Sequence, residues 1–436
     1  MIYILFILLL ILLFSSLILT RGDILSPWVI SIGMILVSCL FAVLYAHKWE
    51  LHMGSYSTII IIFSLLLFGL GELFVEVLNE LYYKKSPPFN HSCEANTLSP
   101  VIIPEKVTRY IIVLLMLFLC YYATRIYKIS LIGGNNEGIK GMLQYARDVL
   151  TTPGNHVGRL GNHMMLFAEA AATIYLLAFI NNIVLKRHIS TMILNLCPVI
   201  IYFFFGVINT GRIFIIKLFA TSLIYFLVLD SKKQKWKKPS IAKVLLLGIT
   251  AIVIYFILFT ILGILKGSSV NGIFDKIAFY TGLSIPSFDY FVQTHDGNSL
   301  ILGEETLYGV HNILRRIGIF IPEKARHLEF VYFSGVKGNV YMSFRRYMND
   351  YGLFGLFLIQ FSLGVLYKSL YTFLKHTKYF YPVLILYGFL FYPLIMQGID
   401  EMLFSSLIST STVYLTVYIC ILYYVCIHKW SKKYTH

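Results

Sequence analysis

Charge is scarce in this chain. Only 13% of its 436 residues are charged, against roughly 25% in an ordinary soluble domain. That excludes a hydrated globular surface around one buried core. Acidic residues are scarcer than basic ones, 21 against 36, which leaves a net charge of +15. No Asp-x-Asp and no His-rich ligand set occurs, so nothing in the sequence offers to hold a divalent metal. Six cysteines, at 39, 93, 120, 197, 420 and 426, form no Cys-x-x-Cys pair. Five lie within or beside apolar runs and read as small hydrophobes, which argues against a disulfide framework or a zinc site. The apolar runs are continuous and lack alternation of period two, which excludes a membrane β-barrel.

Long hydrophobic runs are what the chain has instead. Hydrophobic residues make up 58% of it, and the mean hydropathy is +0.75. Apolar stretches of about 18 residues or more read as transmembrane helices. They predict an all-α polytopic membrane protein with about eleven spans, or twelve, placed near 2–20, 28–47, 56–78, 108–126, 164–184, 189–208, 212–229, 241–265, 351–370, 379–397 and 404–428. The N-terminus lacks a basic flank and a small-residue cleavage site, and reads as a retained first helix.

The basic loop "DSKKQKWKKPS" (230–240), "KRH" (186–188), "KHTK" (375–378) and the C-terminal "HKWSKKYTH" all fall on one side. By the positive-inside rule that side is cytoplasmic. The rule absorbs much of the excess charge, so no nucleic-acid partner is needed. The layout divides into helices over 1–265 with a medium external loop at 127–163, a large external loop over 266–350, and helices with a basic tail over 351–436. A loop of that length is functional more often than connective. Within it "GEETLYGVHNILRRIGI" (303–319) places Leu307, Val310, Leu314 and Ile317 on one face and predicts an interfacial amphipathic helix. "SIPSFDYFV" (284–292) predicts a short helix with Ser284 at its cap and Pro286 in its first turn.

At the edge of the following span stands "GNVYMSFRRYMNDYGLFG" (338–355). Two readings remain open for it. Arg345 and Arg346 could snorkel, with Tyr341, Phe344, Tyr347 and Tyr351 as an aromatic belt and Asn349 or Asp350 capping a helix that starts at Tyr351. Alternatively the guanidinium groups form an anion site, because their fork matches phosphate oxygens bidentately. Arg212 opens a helix in "NTGRIFIIKLF", where the macrodipole disfavours a cation. Lys217 follows inside the apolar run, and Glu169 sits inside another. Intramembrane charge is functional by default, although Glu169 could simply pair with Lys217 or Arg212. Glu72 and Glu76 read as a polar face toward the cytoplasmic end.

These residues resemble the Wzy-type polymerases of O-antigen and related repeat-unit polysaccharides. The pattern N-V-Y-x-x-F-R-x-Y-x-x-D-x-G is filled by Asn339, Val340, Tyr341, Phe344, Arg345, Tyr347, Asp350 and Gly352. Thr210-Gly211-Arg212 is similar to a family turn but one residue shorter. The segments 280–292 and 303–319 resemble the family's large-loop segments, and "GIDEMLFSS" (398–406) its acidic turn before the last helix. Arg147 and Gly158 match an Arg-x10-Gly spacing found in some members. The resemblance covers the C-terminal half in sequence and the first half by layout.

The resemblance implies a GT-C-like membrane glycosyltransferase in a bacterial inner membrane, with its site facing the periplasm. It would move a growing glycan from undecaprenyl pyrophosphate to a new lipid-linked repeat unit, without cofactor or metal. Membrane lipids and a chain-length regulator protein would be its partners. Arg212, Arg345 and Arg346 would stabilise the leaving diphosphate. His311, Asp350, Asp289, Glu169, Asp400 and Glu401 are candidates for the base. Asn339, Tyr341, Tyr347, Lys217 and Arg147 would help to bind substrate. His156 and His163 face outward without a supporting pattern. An O-antigen ligase, which shares the donor, and a flippase or transporter of lipid-linked sugars are the alternatives.

Overall fold

The structure, a computed structural model, describes residues 1–85, 98–139, 141–151, 157–188, 192–209, 211, 213–237, 246, 248, 250, 260, 272–295, 301–322 and 328–429. In chain order the helices are α1 (Ile2–Leu19), α2 (Pro27–Leu44), α3 (Ser55–Lys85), α4 (Glu105–Ile132), α5 (Met142–Thr151), α6 (Arg159–Val184), α7 (Ile193–Ile208) and α8 (Ile213–Lys233). Then come the short helices α9 (Ile273–Gly282), α10 (Ser284–Thr294) and α11 (Tyr308–Arg316). A hairpin of β1 (Val331–Phe333) and β2 (Val336–Gly338) pairs Val331 with Gly338 and Phe333 with Val336. It leads into α12 (Phe344–His376), α13 (Phe380–Met396) and α14 (Thr410–Tyr423). Single π-helical turns lie at Leu403–Leu407 and Tyr424–His428.

The fold is that of an all-α polytopic membrane protein. Among the described residues eight helices are long and apolar enough to cross a membrane, and α7 and α13 are shorter apolar helices. The predicted span 241–265 falls largely outside the described residues. Several boundaries differ from the sequence reading: α3 runs on to Lys85 and α4 to Ile132, and α14 begins at Thr410. A short helical segment from Phe344 precedes the span expected from Tyr351; Gly352, which is not helical, separates it from the membrane helix proper, which begins close to where the sequence places it. The amphipathic helix of the large loop covers only Tyr308–Arg316, with turns before it. Pro286 does lie in the first turn of α10, but the Ser284 hydroxyl makes no cap; it donates to the Gly398 carbonyl at 2.5 Å.

The chain forms two compact units. One holds α1–α3, α9–α13 and the hairpin; the other holds α4–α8 and most of α14. In the first unit α3 packs along α12, and glycines set the closeness of that crossing. A Cβ at Gly364 would stand 2.0 Å from the Phe68 carbonyl oxygen, and one at Gly71 2.2 Å from that of Phe361. Small residues allow such backbone contact where lipid supplies no hydrophobic drive. Phe63 packs edge-on to Phe357, and Phe68 stacks on Tyr367.

Farther along the same seam Glu72 is buried. It accepts from Ser26 Oγ at 2.6 Å and the Trp28 amide at 3.2 Å, and Lys368 Nζ lies 3.9 Å away. Lys368 also pairs with Glu76. Glu72 is therefore an internal ion-pair partner and not part of an open polar face, because a buried carboxylate in lipid needs a counter-charge and donors. Tyr371 and Lys375 close on Asp23 in the same way.

In the second unit Glu169 on α6 and Lys217 on α8 form an ion pair at 3.2 Å. Asn181 and Asn182 donate to the carbonyls of Ser99 and Val101, each at 2.9 Å, and so fasten the segment that leads into α4. Tyr122 donates to Asn209 at 2.6 Å, and His163 Nδ1 lies 3.0 Å from the Tyr418 hydroxyl.

The glycine seam gives a direct test. Gly364→Ala should destabilise the protein by about 1–3 kcal/mol through overpacking, read as a lower thermal midpoint in detergent. Gly33→Ala in α2, where an added Cβ meets nothing within 4 Å, should leave the midpoint unchanged or raise it slightly.

Candidate functional site

The stretch 338–351 is threaded through the first unit by backbone bonds and close contacts. At Gly338 an added Cβ would meet Leu283 Cδ2 at 2.3 Å and the Phe279 ring at 2.9 Å, so the hairpin exits tightly against these two side chains. The Met342 amide donates to the Ser284 carbonyl at 3.4 Å and the Ser343 amide to that of Gln397 at 3.0 Å. Gln397 is itself held by Ser31 Oγ at 2.6 Å. Residues 341–347 are all buried, as are Asn349 and Asp350. Gly352, at φ 66° and ψ −173°, then breaks the helical path. That conformation is open to glycine and strained for other residues. It separates a short buried segment carrying both arginines from the long membrane helix beyond.

Arg345 is the centre of this segment. Its side chain is 4% exposed. Nη1 donates to the Glu305 carboxylate, which is 3% exposed, and Nη2 donates to both oxygens of Glu329 at 2.7 Å. Glu329 is 53% exposed, so it is the open side of the site. The guanidinium carbon lies 4.9 Å from the Phe291 ring centre and 5.0 Å from that of Tyr341. Two ring faces and two carboxylates together replace the water that a buried cation would otherwise need. Arg346 Nε donates to Asp400 Oδ1 at 3.3 Å. Neither arginine snorkels, because each has a carboxylate partner inside the fold.

Asp350 has a different task from capping. It accepts from the Thr306 amide and hydroxyl, each at 2.7 Å, from the Glu305 amide at 3.0 Å and from Asn349 Nδ2 at 3.0 Å. The Thr306 hydroxyl also meets that of Tyr351 at 2.8 Å. Asp350 therefore pins the turn that aims Glu305 at Arg345; with four donors on it, it acts as a clamp.

Glu401 is likewise internal. It accepts from the amides of Leu403 (2.8 Å), Phe404 (2.7 Å) and Ser405 (2.8 Å), and from the Tyr347 hydroxyl at 3.2 Å. Burial raises its carboxyl above the usual range, while the amide donors act against that rise. The turn 398–406 is thus not a solvated one around Glu401.

Among the described residues three carboxylates (Glu305, Glu329 and Asp400) contact the two guanidinium groups, while Asp350 and Glu401 hold the neighbouring turns. Such a site admits an anion at Arg345 only as a carboxylate leaves. Glu305 and Glu329 escaped the sequence reading, because each is remote in sequence from Arg345 and no motif links them. The scarcity of acids in the chain is the one signal that marked them out.

The other sequence candidates fall elsewhere. His311 is buried on α11, where Gly309 packs so tightly that an added Cβ would stand 1.9 Å from the Ile408 carbonyl. Asn339 is half-buried between β2 and α12. Asp289 on α10 accepts from the Gly54 amide (2.9 Å), Ser57 Oγ (2.5 Å) and Gln293 Nε2 (2.8 Å), and so holds the start of α3. Glu169, Lys217 and Arg147 belong to the second unit, the first two as the ion pair described above and Arg147 half-buried on α5. Arg212, Thr210 and His156 lie outside the described residues. Comparison of the chain with protein-family models, with curated proteins and with solved structures returned no match.

The two carboxylates on Arg345 differ in burial, and that difference is measurable. Glu305→Gln removes a partner from a buried cation and should cost about 3–5 kcal/mol. Glu329→Gln, at the half-exposed position, should cost about 1 kcal/mol or less. Thermal unfolding of the two purified variants compares them directly.

Proposed function

We propose that this chain is a Wzy-type polymerase, a GT-C-like membrane glycosyltransferase that joins lipid-linked oligosaccharide repeat units on the periplasmic face of a bacterial inner membrane. The observation that carries the proposal is Arg345, sandwiched by Phe291 and Tyr341 and shared between a buried Glu305 and a half-exposed Glu329. The motif resemblance at 339–352 converges on the same residue. The orientation is supported by charge along α12: Arg345 is in its first turn, while Lys375 and His376 are in its last, and the helical stretch beyond Gly352 alone spans about 36 Å at 1.5 Å per residue. The basic end is the cytoplasmic one under the positive-inside rule.

In the reaction an acceptor hydroxyl oxygen attacks the anomeric carbon of the donor glycan. The bond from that carbon to the diphosphate breaks, and undecaprenyl diphosphate leaves with the electron pair. Arg345 Nη2 exchanges Glu329 for a diphosphate oxygen, a like-for-like swap of bidentate acceptors. Glu305 stays in place and keeps the guanidinium oriented. Glu329, freed at the open side, takes the proton of the attacking hydroxyl. Binding of the leaving group and release of the base are thus one event. Arg346, held by Asp400, adds a second positive charge beside it.

The test uses purified protein in nanodiscs with an undecaprenyl-diphosphate-linked repeat unit, without nucleotide sugar. A ladder of products is the expected result. Arg345→Lys should lose activity by about 100-fold to 1000-fold, since ammonium lacks the fork. Glu329→Gln should fold normally and lose activity by about 100-fold or more. A ladder of wild-type rate and length from folded Glu329→Gln would remove the proposed mechanism.

A further inference from the structure

A cavity of about 80 Å³ opens on the face of α10 that is turned away from Arg345. Where about 10–15 Å³ holds one water, this space holds roughly five, or the ring of one sugar residue entering from its open side. Its polar lining is His52, Asp289, Tyr290 and Gln293, and Phe333 and Met53 are among the apolar groups. Asp289 is 4% exposed and fixed by three donors, with Oδ2 engaged by Gln293. Gln293 spends one N–H on that bond; its carboxamide still offers an oxygen and a second N–H. His52 and Gln293 stand exposed at the mouth, with the Tyr290 ring half-exposed beside them.

We propose that this cavity is a carbohydrate subsite that takes one neutral sugar residue of the acceptor repeat unit. The proposal rests on the polymerase reading and deepens it. Planar carboxylate and carboxamide groups on α10, with the imidazole of His52 in the segment before α3, match the paired donors and acceptors of vicinal ring hydroxyls. Tyr290 and Phe333 supply apolar faces for the C–H side of a pyranose. Among the described residues no lysine or arginine lines the cavity and a carboxyl group does, so a phosphate or uronate is disfavoured. Four polar side chains in so small a space disfavour a lipid chain. The subsite shares α10 with the reaction centre: Phe291 touches Arg345 on one face, and Asp289 and Gln293 line the cavity on the other. The width of a helix, about 10 Å, separates them. That span lets one acceptor chain reach from the subsite to Glu329, so the cavity would select which repeat unit is extended.

Saturation-transfer NMR on the full chain in nanodiscs tests this, with the methyl glycosides of glucose, galactose, N-acetylglucosamine and rhamnose as probes. At least one should show transfer to its ring protons, with the signal falling about five- to tenfold in Gln293→Leu and in His52→Leu, the effect of losing one hydrogen bond. Both variants leave Gly54 and Ser57 on Asp289, and an unchanged thermal midpoint checks their folding. Transfer to none of the probes, or transfer that both folded variants leave intact, overturns the proposal. Binding that the variants weaken, without any product ladder from wild type, keeps the subsite and removes the polymerase. A ladder with no glycoside binding, and with unchanged acceptor KM in both variants, removes the subsite alone.

Discussion

A guanidinium group removed from water at the start of a membrane helix governs the architecture around it. Arg345 is 4% exposed, and an uncompensated charge there would cost several kcal/mol. The fold meets that cost from four directions: Glu305 from the turn before α11, Glu329 from the segment before the hairpin, Phe291 from α10, and Tyr341 from the segment between β2 and α12. Each of these elements belongs to the stretch between α9 and α12. The compensation of one cation therefore organises most of what would otherwise be a long connection between membrane helices.

The supports of that arrangement are themselves buried polar contacts. Asp350 fixes the turn that delivers Glu305, and Gln397 and Ser284 hold the backbone on either side of Met342 and Ser343. Behind them the close crossing of α3 and α12 at Gly71 and Gly364 gives a rigid base, with Glu72 and Lys368 neutralising each other farther along it. A site built on such a base can exchange one half-exposed carboxylate for a ligand while its buried partner stays in place. The asymmetry between Glu305 and Glu329 is thus a consequence of packing, and in the mechanism proposed above it would separate a positioning role from a reactive one. Asp289 shows the same division on the far face of α10: it holds the start of α3 with one oxygen and faces the cavity with its surroundings.

Much of the membrane architecture was legible in the sequence because lipid imposes a one-dimensional rule. A helix that must satisfy its own backbone in hydrocarbon needs a long apolar run, and α1, α2, α6, α7, α8 and α13 stand within about five residues of where those runs place them. The arginines at 345 and 346 were also visible, as charges at the edge of such a run. The start of their helix was not. Residues 344–350 alternate charge and aromatic groups, a pattern that suits an interface as well as a buried turn, and only contacts with 284, 305 and 397 decide between them.

Composition and periodicity alone determined that the chain is a helical membrane protein and where most of its helices run, since those follow from local transfer free energies. Which carboxylates neutralise Arg345, that Asp350 clamps a turn, that Glu401 is internal, and that a cavity lies beside Asp289 were decided only by the tertiary structure. Glu305 and Glu329 reach Arg345 across 40 and 16 residues, and a contact of that kind leaves no trace in local spacing. It arises from the demand that a buried charge find its counter-charge wherever the folded chain can bring one.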